Sequence, residues 1–485
     1  MNTDASEREE SRLRVLVHQE KLHEWSRSDP KRRFCDLFNL VSDRATLEVA
    51  FELVEANKGS KTPGVDGLTP TRIKRMGKER YLSKLRDELK SGTYSPQPLR
   101  RVEIPKKNGK IRKLGILTIR DRIVQMALKL VLEPIFEADF YPHSYGYRTN
   151  RRAQDAIEEI FQLHNKGYVW VLEGDIKACF DNVNHSILMG LVKKRIGDRK
   201  VLELIWKFLR AGILTAEAYI EPTLTGTQQG GIISPLLANV YLSDLDRHFS
   251  EIWEREMSTG NRRSKLRKSG KATYLLVRYS DDFVVLINGT EEHARQIKEQ
   301  TTEVLEKRLK MELSTEKTLI THIDEGYEFL GFKIFRTTRG NGGKRVVLTI
   351  PSKASLASVM NKVKKVTCRN THMTLSQIIK VVNPILRGWV NYFRHAVSKR
   401  TFSYLNYYSW WRLIRWLRKK HKGMTWKELR RRYYGKDRIR DGDLVLYNPA
   451  TQPVTRYRYR GTKIAVSWDR FRLREKILTP ATSPV

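Results

Sequence analysis

Three aspartates stand at the ends of apolar runs, where a folded sheet can bring carboxylates together. Asp175 ends the segment VWVLEGD, and Asp281 and Asp282 lie between YLLVRYS and FVVLI. Carboxylates on neighbouring strand ends can hold two divalent ions about 3.5–4 Å apart, which activate an attacking hydroxyl and neutralise a departing pyrophosphate. An isolated Asp-Asp pair is more often only a good turn. The long apolar flanks and the third aspartate favour the metal-binding interpretation.

The charge balance indicates the kind of partner. The 485 residues include 92 Lys and Arg against 54 Asp and Glu, a formal net charge of +38. Such an excess destabilises a compact chain through self-repulsion, and a polyanion relieves it. Nucleic acid is therefore the expected partner, and an acidic membrane surface is the main alternative.

Cysteine usage and hydropathy exclude several other classes of protein. Cys35, Cys179 and Cys368 form no CxxC pair, so neither a zinc ribbon nor a disulfide framework is expected. The N-terminus lacks the apolar stretch of a signal peptide, and no run reaches the roughly 18 apolar residues of a membrane span. The sequence predicts a reduced, cytoplasmic protein with no membrane partner.

The segments around the aspartates predict an α+β core with an antiparallel sheet. Residues 43–57 and 120–137 have apolar residues at helical spacing, and residues 186–210 are also predicted to be helical. The segment RRVEIPKKNGKIRKLGIL indicates a basic β-hairpin with an Asn-Gly turn. The basic, Gly- and Ser-containing segment 255–272 is predicted to be a surface loop. The charged first thirty residues are predicted to form a leader that is either ill-ordered or helical.

From about residue 353 helical patterns dominate, and aromatic residues alternate with basic ones. Between Arg387 and Arg440 there are 17 Lys and Arg against two acids, a density that is unusual for a solvated helix face. Such a surface can neutralise phosphates and stack exposed bases, although aromatics at this spacing can equally form a core. The aromatics in question are Trp389, Tyr392, Trp410, Trp411 and Trp416.

Several motifs resemble, in order, those of the reverse transcriptases encoded by bacterial group II introns. RYSDDFVVL is similar to the YxDD signature of reverse transcriptases. The others are IPKKNGKIRKLGILTIRDRIVQMAL, LEPIFEADFYPHSYGYRTNRRAQDAI, GDIKACFDNVNH, TQQGGIISPLLANVYLSDLD, LSTEKT, YEFLGF and NPILRGWVNYFRH. The similarity extends from about residue 40 to 430. It implies a right-hand polymerase, with an antiparallel sheet in its fingers and palm, followed by an all-helical thumb or maturase domain.

The resemblance implies roles for the residues around the aspartates. Asp175 and Asp281, with the carbonyl of Ile176, would bind two Mg²⁺ ions, and Asp282 would be a catalytic residue with a less direct part. Phe180 occupies the position that packs under the nucleotide sugar, where an aromatic ring excludes a 2′-hydroxyl. A phenylalanine of the core is the alternative interpretation of Phe180.

The same resemblance implies contacts to the incoming nucleotide. Lys106 and Arg112 lie on the hairpin that grips the triphosphate, although both could be solvated hairpin charges. Gln229 and Gly230 match a loop that touches nucleotide and template, and Lys317 matches a position that protonates or steers the leaving pyrophosphate.

The chain departs from the family pattern at two positions. Ser280 replaces the usual alanine before the paired acids, and serine is small enough to preserve the chemistry. Gln228 replaces the proline of the common TPQGG loop, a change that is expected to loosen the loop.

The resemblance also implies a division of the chain. The expected units are an N-terminal leader (1–40), fingers and palm (41–350), a thumb or maturase domain (351–435) and a basic tail (436–485). The thumb is expected to bind RNA through Trp389, Arg415, Arg418 and Lys419. The tail is a candidate DNA-binding region, and we expect no HNH endonuclease because no cysteine pair follows Cys368.

The expected activity is RNA-directed DNA synthesis on an RNA template and primer from deoxynucleoside triphosphates. Intron RNA and target DNA are the further expected partners, since the family assists splicing and mobility of its intron. Two alternatives stay open. One is an RNA-binding splicing maturase without polymerase activity, which the intact set of aspartates disfavours. The other is a host-adapted relative that serves DNA repair or phage defence.

Overall fold

Runs of helices and pairs or runs of strands follow one another along the chain in the computed structural model. The structure describes residues 2–105, 111–214, 220–221, 225–226, 230–338, 343–435, 438–461 and 464–468. The helices are α1 (Asn2–Ser28), α2 (Phe38–Val41), α3 (Arg44–Ala56), α4 (Pro70–Ser91), α5 (Ile119–Glu137), α6 (Ala153–Asn165), α7 (His185–Lys193), α8 (Arg199–Arg210), α9 (Ser234–Ile252), α10 (Gly260–Lys268), α11 (Glu291–Leu309), α12 (Lys353–Arg369), α13 (Leu375–Phe393), α14 (Lys399–Lys420) and α15 (Trp426–Tyr433). The strands are β1 (Leu99–Pro105), β2 (Ile111–Ile116), β3 (Trp170–Asp175), β4 (Ile213–Leu214), β5 (Ile220–Glu221), β6 (Thr273–Tyr279), β7 (Asp282–Asn288), β8 (Leu319–His322), β9 (Tyr327–Phe329), β10 (Phe332–Thr338), β11 (Arg345–Pro351), β12 (Tyr434–Gly435), β13 (Arg438–Asp441) and β14 (Leu444–Val445).

A four-stranded antiparallel sheet of order β6-β7-β3-β8 forms the centre of the molecule. Leu172 and Val285 face a core shared with α3, α5 and α9, whereas Val171 and Val284 face a second core shared with α6 and the C-terminal helices. Successive side chains of a strand point to opposite faces, so a sheet covered on both faces needs apolar residues at every position. The continuous runs in β3, β6 and β7 follow from this double burial.

The predicted basic hairpin is confirmed by β1 and β2, which pair in antiparallel register from Arg100 opposite Ile116 to Pro105 opposite Ile111. The Asn-Gly tip at 106–110 lies outside the described residues. Strand β1 also pairs with β4, in parallel.

Residues 186–210 form two helices rather than one. Helix α7 ends at Lys193 and α8 begins at Arg199, after Asp198. The Asp198 carboxylate accepts hydrogen bonds from the backbone amides of Lys200 and Val201 at 3.0 and 3.2 Å. A carboxylate in this position caps a helix start and so favours a break before it.

The prediction of a surface loop over 255–272 is wrong. A π-helical turn spans Trp253–Met257, and α10 follows after Thr259, whose side chain accepts a hydrogen bond from the amide of Arg262. None of the residues of α10 is buried. Helical apolar spacing is therefore missing from a segment that is nevertheless a helix, which explains the error.

The N-terminal segment is helical, which is one of the two forms expected of it. Gln19 of α1 donates to the carbonyl of Leu130 at 2.9 Å, and Ser26 donates to that of Ile135 at 2.8 Å. Helix α1 thereby packs along α5, beside the first core.

The C-terminal helices pack on a second antiparallel sheet of order β11-β10-β9. The hydroxyl of Tyr392 on α13 donates to the carbonyl of Leu330 at 3.0 Å, and the amide of Val397 donates to that of Thr349 at 2.8 Å. Helices α12–α15 and the small sheet β12-β13-β14 complete this unit. In the described part of the chain, no helix has the length and apolarity that crossing a membrane requires.

The chain then turns back over the rest of the molecule through a segment that we call the return segment, residues 453–461 and 464–468. Tyr457 donates to the Asp155 carboxylate of α6 at 2.9 Å, and Arg460 donates to the same carboxylate at 2.5 and 2.8 Å. Further along, the Trp468 ring lies 5.6 Å from the ring of His23 on α1. The return segment therefore connects the C-terminal unit to both α6 and α1.

Strand β3 leaves no room for a side chain at Gly174, where a Cβ would lie 2.0 Å from Cζ of Phe283. We expect Gly174→Ala to lower the free energy of unfolding by about 1–3 kcal/mol, because the ring and β7 must shift. Chemical denaturation measures the change. The matched control is Gly190→Ala on α7, where a Cβ meets nothing within 4 Å and the alanine should stabilise the helix by up to about 1 kcal/mol. Equal destabilisation of the two variants would contradict this packing.

Candidate active site

Strand pairing brings the three predicted aspartates to one edge of the central sheet. Asp175 is the last residue of β3 and lies directly opposite Asp282, the first residue of β7. Asp281 immediately precedes Asp282, in the two-residue turn between β6 and β7. Residues opposite each other in an antiparallel pair have Cβ atoms about 4.5–5.5 Å apart. The arrangement matches the one that the sequence predicts.

The turn that carries Asp281 has an uncommon backbone conformation. Ser280 has φ = 62°, in the left-handed region, and is buried. Left-handed residues other than glycine occur where the surrounding structure holds them in place. Here the guanidinium of Arg278 donates to the Ser280 carbonyl at 2.8 Å. Sequence reasoning missed Arg278, since an arginine between apolar runs gives no signal of its own.

The backbone of Ile176 is oriented towards the aspartates. Ile176 pairs with Leu313 in an isolated antiparallel bridge whose two hydrogen bonds belong to the flanking residues, Lys177 with Glu312 and Ser314 with Asp175. In such a pair the residue's own N–H and carbonyl point away from the partner strand. The Ile176 carbonyl therefore points to the side of β3 that carries β7 and its turn.

The carboxylates repel one another. Partial burial, together with the charges of Asp281 and Asp175, raises the pKa of Asp282 to about 6, and Lys317 opposes the shift. The Lys317 ammonium lies 3.1 and 3.0 Å from the two carboxylate oxygens of Asp175. One lysine offsets only part of this negative charge, so cations would stabilise the cluster.

The donor set fits a hard divalent cation. Among the described residues, no group of three or more His, Cys, Asp or Glu side chains is arranged to hold a metal ion. The carboxylates of Asp175 and Asp281 and the backbone carbonyl of Ile176 are hard oxygen donors, and phosphate oxygens and water could complete the coordination of such a cation. Magnesium is usually bound in this way, through one or two carboxylates and the phosphates of a substrate.

Phe180 lies in the turn that follows β3 and is half-buried. Gly226 packs against this turn: a Cβ there would lie 2.8 Å from the Asp181 carbonyl oxygen and 3.0 Å from that of Phe180. The amide of Gly226 also donates to the carbonyl of Val183 at 2.8 Å. Gly226 therefore packs closely against the backbone of this turn, in which the Phe180 side chain is half-buried. Its neighbour Cys179 is buried, as expected of a packing residue.

The predicted nucleotide contacts are only partly covered by the structure. Lys106 and Gln229 lie outside the described residues, and Arg112 is described only as a backbone position in β2, opposite Ile104. Gly230 is described, and a Cβ on it would lie 3.0 Å from the carbonyl oxygen of Gly115 on β2. Gly230 therefore lies close to the backbone of the basic hairpin.

The predicted RNA contacts of the C-terminal unit have two different surroundings. Trp389 is half-buried, with its ring 4.7 Å from Phe393 and 6.0 Å from Phe402. Arg415, Arg418 and Lys419 are all exposed on α14. The packing of Trp389 matches the core interpretation of the aromatic residues, and the three cations lie on the open face.

Exposed aromatic side chains accompany these cations on α14. Tyr404, Tyr407 and Trp411 are exposed at helical spacing, and the rings of Tyr407 and Trp411 lie 6.2 Å apart. Beyond them the Arg418 guanidinium lies over the exposed ring of Trp426, 5.7 Å from its centroid. This surface combines positive charge with rings on which bases can stack.

Comparisons with known proteins agree with this geometry. Residues 104–334 match the model of the reverse transcriptase (RNA-dependent DNA polymerase) family, and residues 356–434 match that of the maturase-specific domain of group II introns. The group II intron-encoded protein LtrA of Lactococcus lactis subsp. cremoris is 32% identical over 84% of this chain and 79% of its own. The chain belongs to the group II intron-encoded reverse transcriptases.

Other relatives extend the similarity. Protein YkfC of Escherichia coli (strain K12) is 39% identical over 71% of this chain and 96% of its own. Nuclear intron maturase 1, mitochondrial, of Arabidopsis thaliana is 27% identical over 45% of this chain and 40% of its own.

The family settles the class of the protein. The chain is an RNA-directed DNA polymerase with a maturase-specific domain, and its partners include RNA and nucleotides. The predicted fold class, a right-hand polymerase of α+β type followed by a helical C-terminal domain, is confirmed. Enzymes of this kind are nucleotidyltransferases that use divalent metal ions.

The position of Asp281 predicts that Asp281→Ala abolishes primer extension, with a loss of about 1000-fold or more, because the variant would lose an expected ligand of a charge-neutralising ion. Binding of RNA should change little, because every basic side chain is retained. Extension rate and RNA dissociation constant are the measurements. As the control, Glu312→Ala removes an exposed carboxylate that pairs with Lys177, at 3.3 Å, and should leave extension unchanged. Primer extension by Asp281→Ala at the wild-type rate would rule out this site.

Proposed function

We propose that this reverse transcriptase copies RNA into DNA with two Mg²⁺ ions held by Asp175, Asp281 and the carbonyl of Ile176. The observation that carries the proposal is the convergence of three mutually repelling carboxylates at one sheet edge. When bound, the ions lower the pKa of the primer 3′-hydroxyl and neutralise the pyrophosphate. Asp282, next to Asp281, contributes negative charge that strengthens the attraction for both ions.

The chain's own residues would bind and orient the other reactants. Lys106 and Arg112 of the hairpin, together with Gln229 and Gly230, hold the triphosphate and template. Lys317 lies within hydrogen-bond distance of the Asp175 carboxylate. Its ammonium would therefore be close enough to contact the pyrophosphate as it leaves. An ammonium at this point can stabilise or protonate a departing phosphate oxygen.

We propose the following division of labour along the chain. Residues 41–350 form fingers and palm, residues 351–435 form the thumb and maturase domain, residues 1–40 precede them and residues 436–485 are a basic tail that contacts target DNA. The matched spans 104–334 and 356–434 fall inside the two central units and support these limits. The thumb surface of α14 binds the intron's own RNA, which couples splicing to the copying of that RNA at a DNA target.

Phe180, half-buried in the turn that follows Asp175, would select deoxynucleotides, since an aromatic ring under the nucleotide sugar excludes the extra oxygen of a ribose. Phe180→Val should raise ribonucleotide incorporation by about 10- to 100-fold relative to deoxynucleotides, the usual range for one steric contact. Single-nucleotide insertion kinetics with matched ribo- and deoxynucleotides measure the ratio. Phe161→Val, at a half-buried ring on α6, is the control and should leave the ratio unchanged. A constant ratio in Phe180→Val would make Phe180 a packing residue only.

The exposed cations of α14 generate a prediction about salt. Each phosphate that they neutralise releases condensed counterions, so charge reversal of Arg415, Arg418 and Lys419 should lower the affinity for structured RNA. The slope of log affinity against log salt should flatten by about one unit for each phosphate that is no longer neutralised. Extension of a short annealed primer–template at saturating enzyme should suffer less, because the aspartates lie on another unit.

The matched control reverses three cations of α11, Arg295, Lys307 and Arg308, each of which already pairs with an acid. That variant has the same net charge as the α14 variant. If both variants flatten the salt slope equally, the effect follows from net charge and the α14 surface is not the RNA site.

A further inference from the structure

A fully buried ion pair lies directly behind the turn that carries Asp281. Arg278 of β6 and Asp246 of α9 are no more than 2% exposed, and they meet side by side, with Nε 2.7 Å from Oδ1 and Nη2 2.5 Å from Oδ2. Removing two charges from water is costly, and an apolar pair of similar volume is often at least as stable. Stability alone therefore does not account for this pair.

Asn239, also on α9, connects the pair to two pieces of backbone. Its Oδ1 accepts a hydrogen bond from Nη1 of Arg278 at 3.0 Å, and its Nδ2 donates to the carbonyl of Gly146 at 2.9 Å. The same Nη1 of Arg278 donates to the carbonyl of Ser280 at 2.8 Å. Asn239 is itself buried, so both ends of its amide are committed to these partners.

The backbone around Gly146 also packs closely against the turn that carries Asp281. The amide of Tyr145 donates to the carbonyl of Arg278 at 2.8 Å, and the amide of Arg278 donates to that of His143 at 3.0 Å. At Gly146 a Cβ would lie only 2.3 Å from the Ser280 nitrogen. Close backbone approach and the Arg278 hydrogen bond together hold Ser280 in its left-handed conformation, one residue before Asp281.

We propose that Asn239 is a positioning residue for catalysis, which acts through Arg278 and Gly146 to hold the left-handed turn and so aim the Asp281 carboxylate at the metal ions. The inference rests on the proposed role of Asp281. It explains a buried ion pair in geometric terms: the guanidinium donates to a carbonyl of the turn, and α9 fixes the guanidinium. Displacement of a ligand by about 1 Å can reduce a rate about 100-fold.

Two variants disturb the same turn by different routes. Asn239→Leu keeps the number and branching of the side-chain heavy atoms but cannot hydrogen-bond Arg278 or Gly146, and Gly146→Ala pushes directly on the Ser280 nitrogen. We expect the extension rate at saturating nucleotide to fall about tenfold or more in both variants. The Mg²⁺ concentration for half-maximal activity should rise several-fold. Mn²⁺ should restore part of the rate, because it binds oxygen ligands more tightly and Mg²⁺ demands near-ideal geometry.

Metal affinity can also be measured without catalysis, which separates metal binding from the rate of extension. Electron paramagnetic resonance measures the dissociation constant of Mn²⁺ from the full-length enzyme bound to primer–template. We expect this constant to rise several-fold in both variants. The control is Thr301→Val on α11, which removes a buried hydrogen bond of 2.6 Å to the Ile297 carbonyl. It should lower the thermal midpoint while leaving Mn²⁺ affinity and Mg²⁺ requirement unchanged.

The outcomes separate this inference from the function on which it rests. Extension that falls only in proportion to the folded fraction, with wild-type Mn²⁺ affinity, would overturn the positioning role and leave Asp281 as a ligand. If Asp281→Ala itself extends primers normally, the proposed metal site fails instead. Weaker Mn²⁺ binding in both Asn239→Leu and Gly146→Ala, with a normal dissociation constant for RNA, supports the positioning role.

Discussion

The register between β3 and β7 governs both the stability of this molecule and its active site. Pairing runs without interruption from Trp170 opposite Ile287 to Asp175 opposite Asp282. A slip of one residue would turn every side chain of a strand to the other face. Here each face belongs to a different core, so a slip would disrupt the apolar packing of both cores at once. The same burial that fixes the register also fixes which two aspartates stand opposite each other.

Local sequence was sufficient to predict what depends on neighbouring residues. Asp175 and the Asp281–Asp282 pair are flanked by apolar strands, so their places at strand ends followed from the pattern. The hairpin β1–β2 followed from its Asn-Gly turn. The helix α10 was missed because it buries no side chain and so shows no apolar period. Element type is readable only where burial imposes a pattern on the residues.

Contacts between distant segments could not be predicted in this way. Arg278 and Asp246 are 32 residues apart, and Asn239 and Gly146 are 93 apart. Each of these residues looks ordinary within its own segment. Only the packing of α9 against the sheet shows that an arginine among apolar residues has its charge balanced by a buried aspartate. The half-buried setting of Trp389 likewise depends on Phe402, which belongs to the next helix.

The return segment has a mechanical consequence for the C-terminal helical unit. Besides packing on the sheet β11-β10-β9, that unit is tied to α6 and α1 through the return segment. Any movement of the C-terminal helices away from α6 must therefore either carry Tyr457 and Arg460 away from the Asp155 carboxylate or bend the chain between them and α14. The return segment thus acts as a strap that opposes separation of the C-terminal helices from the polymerase core.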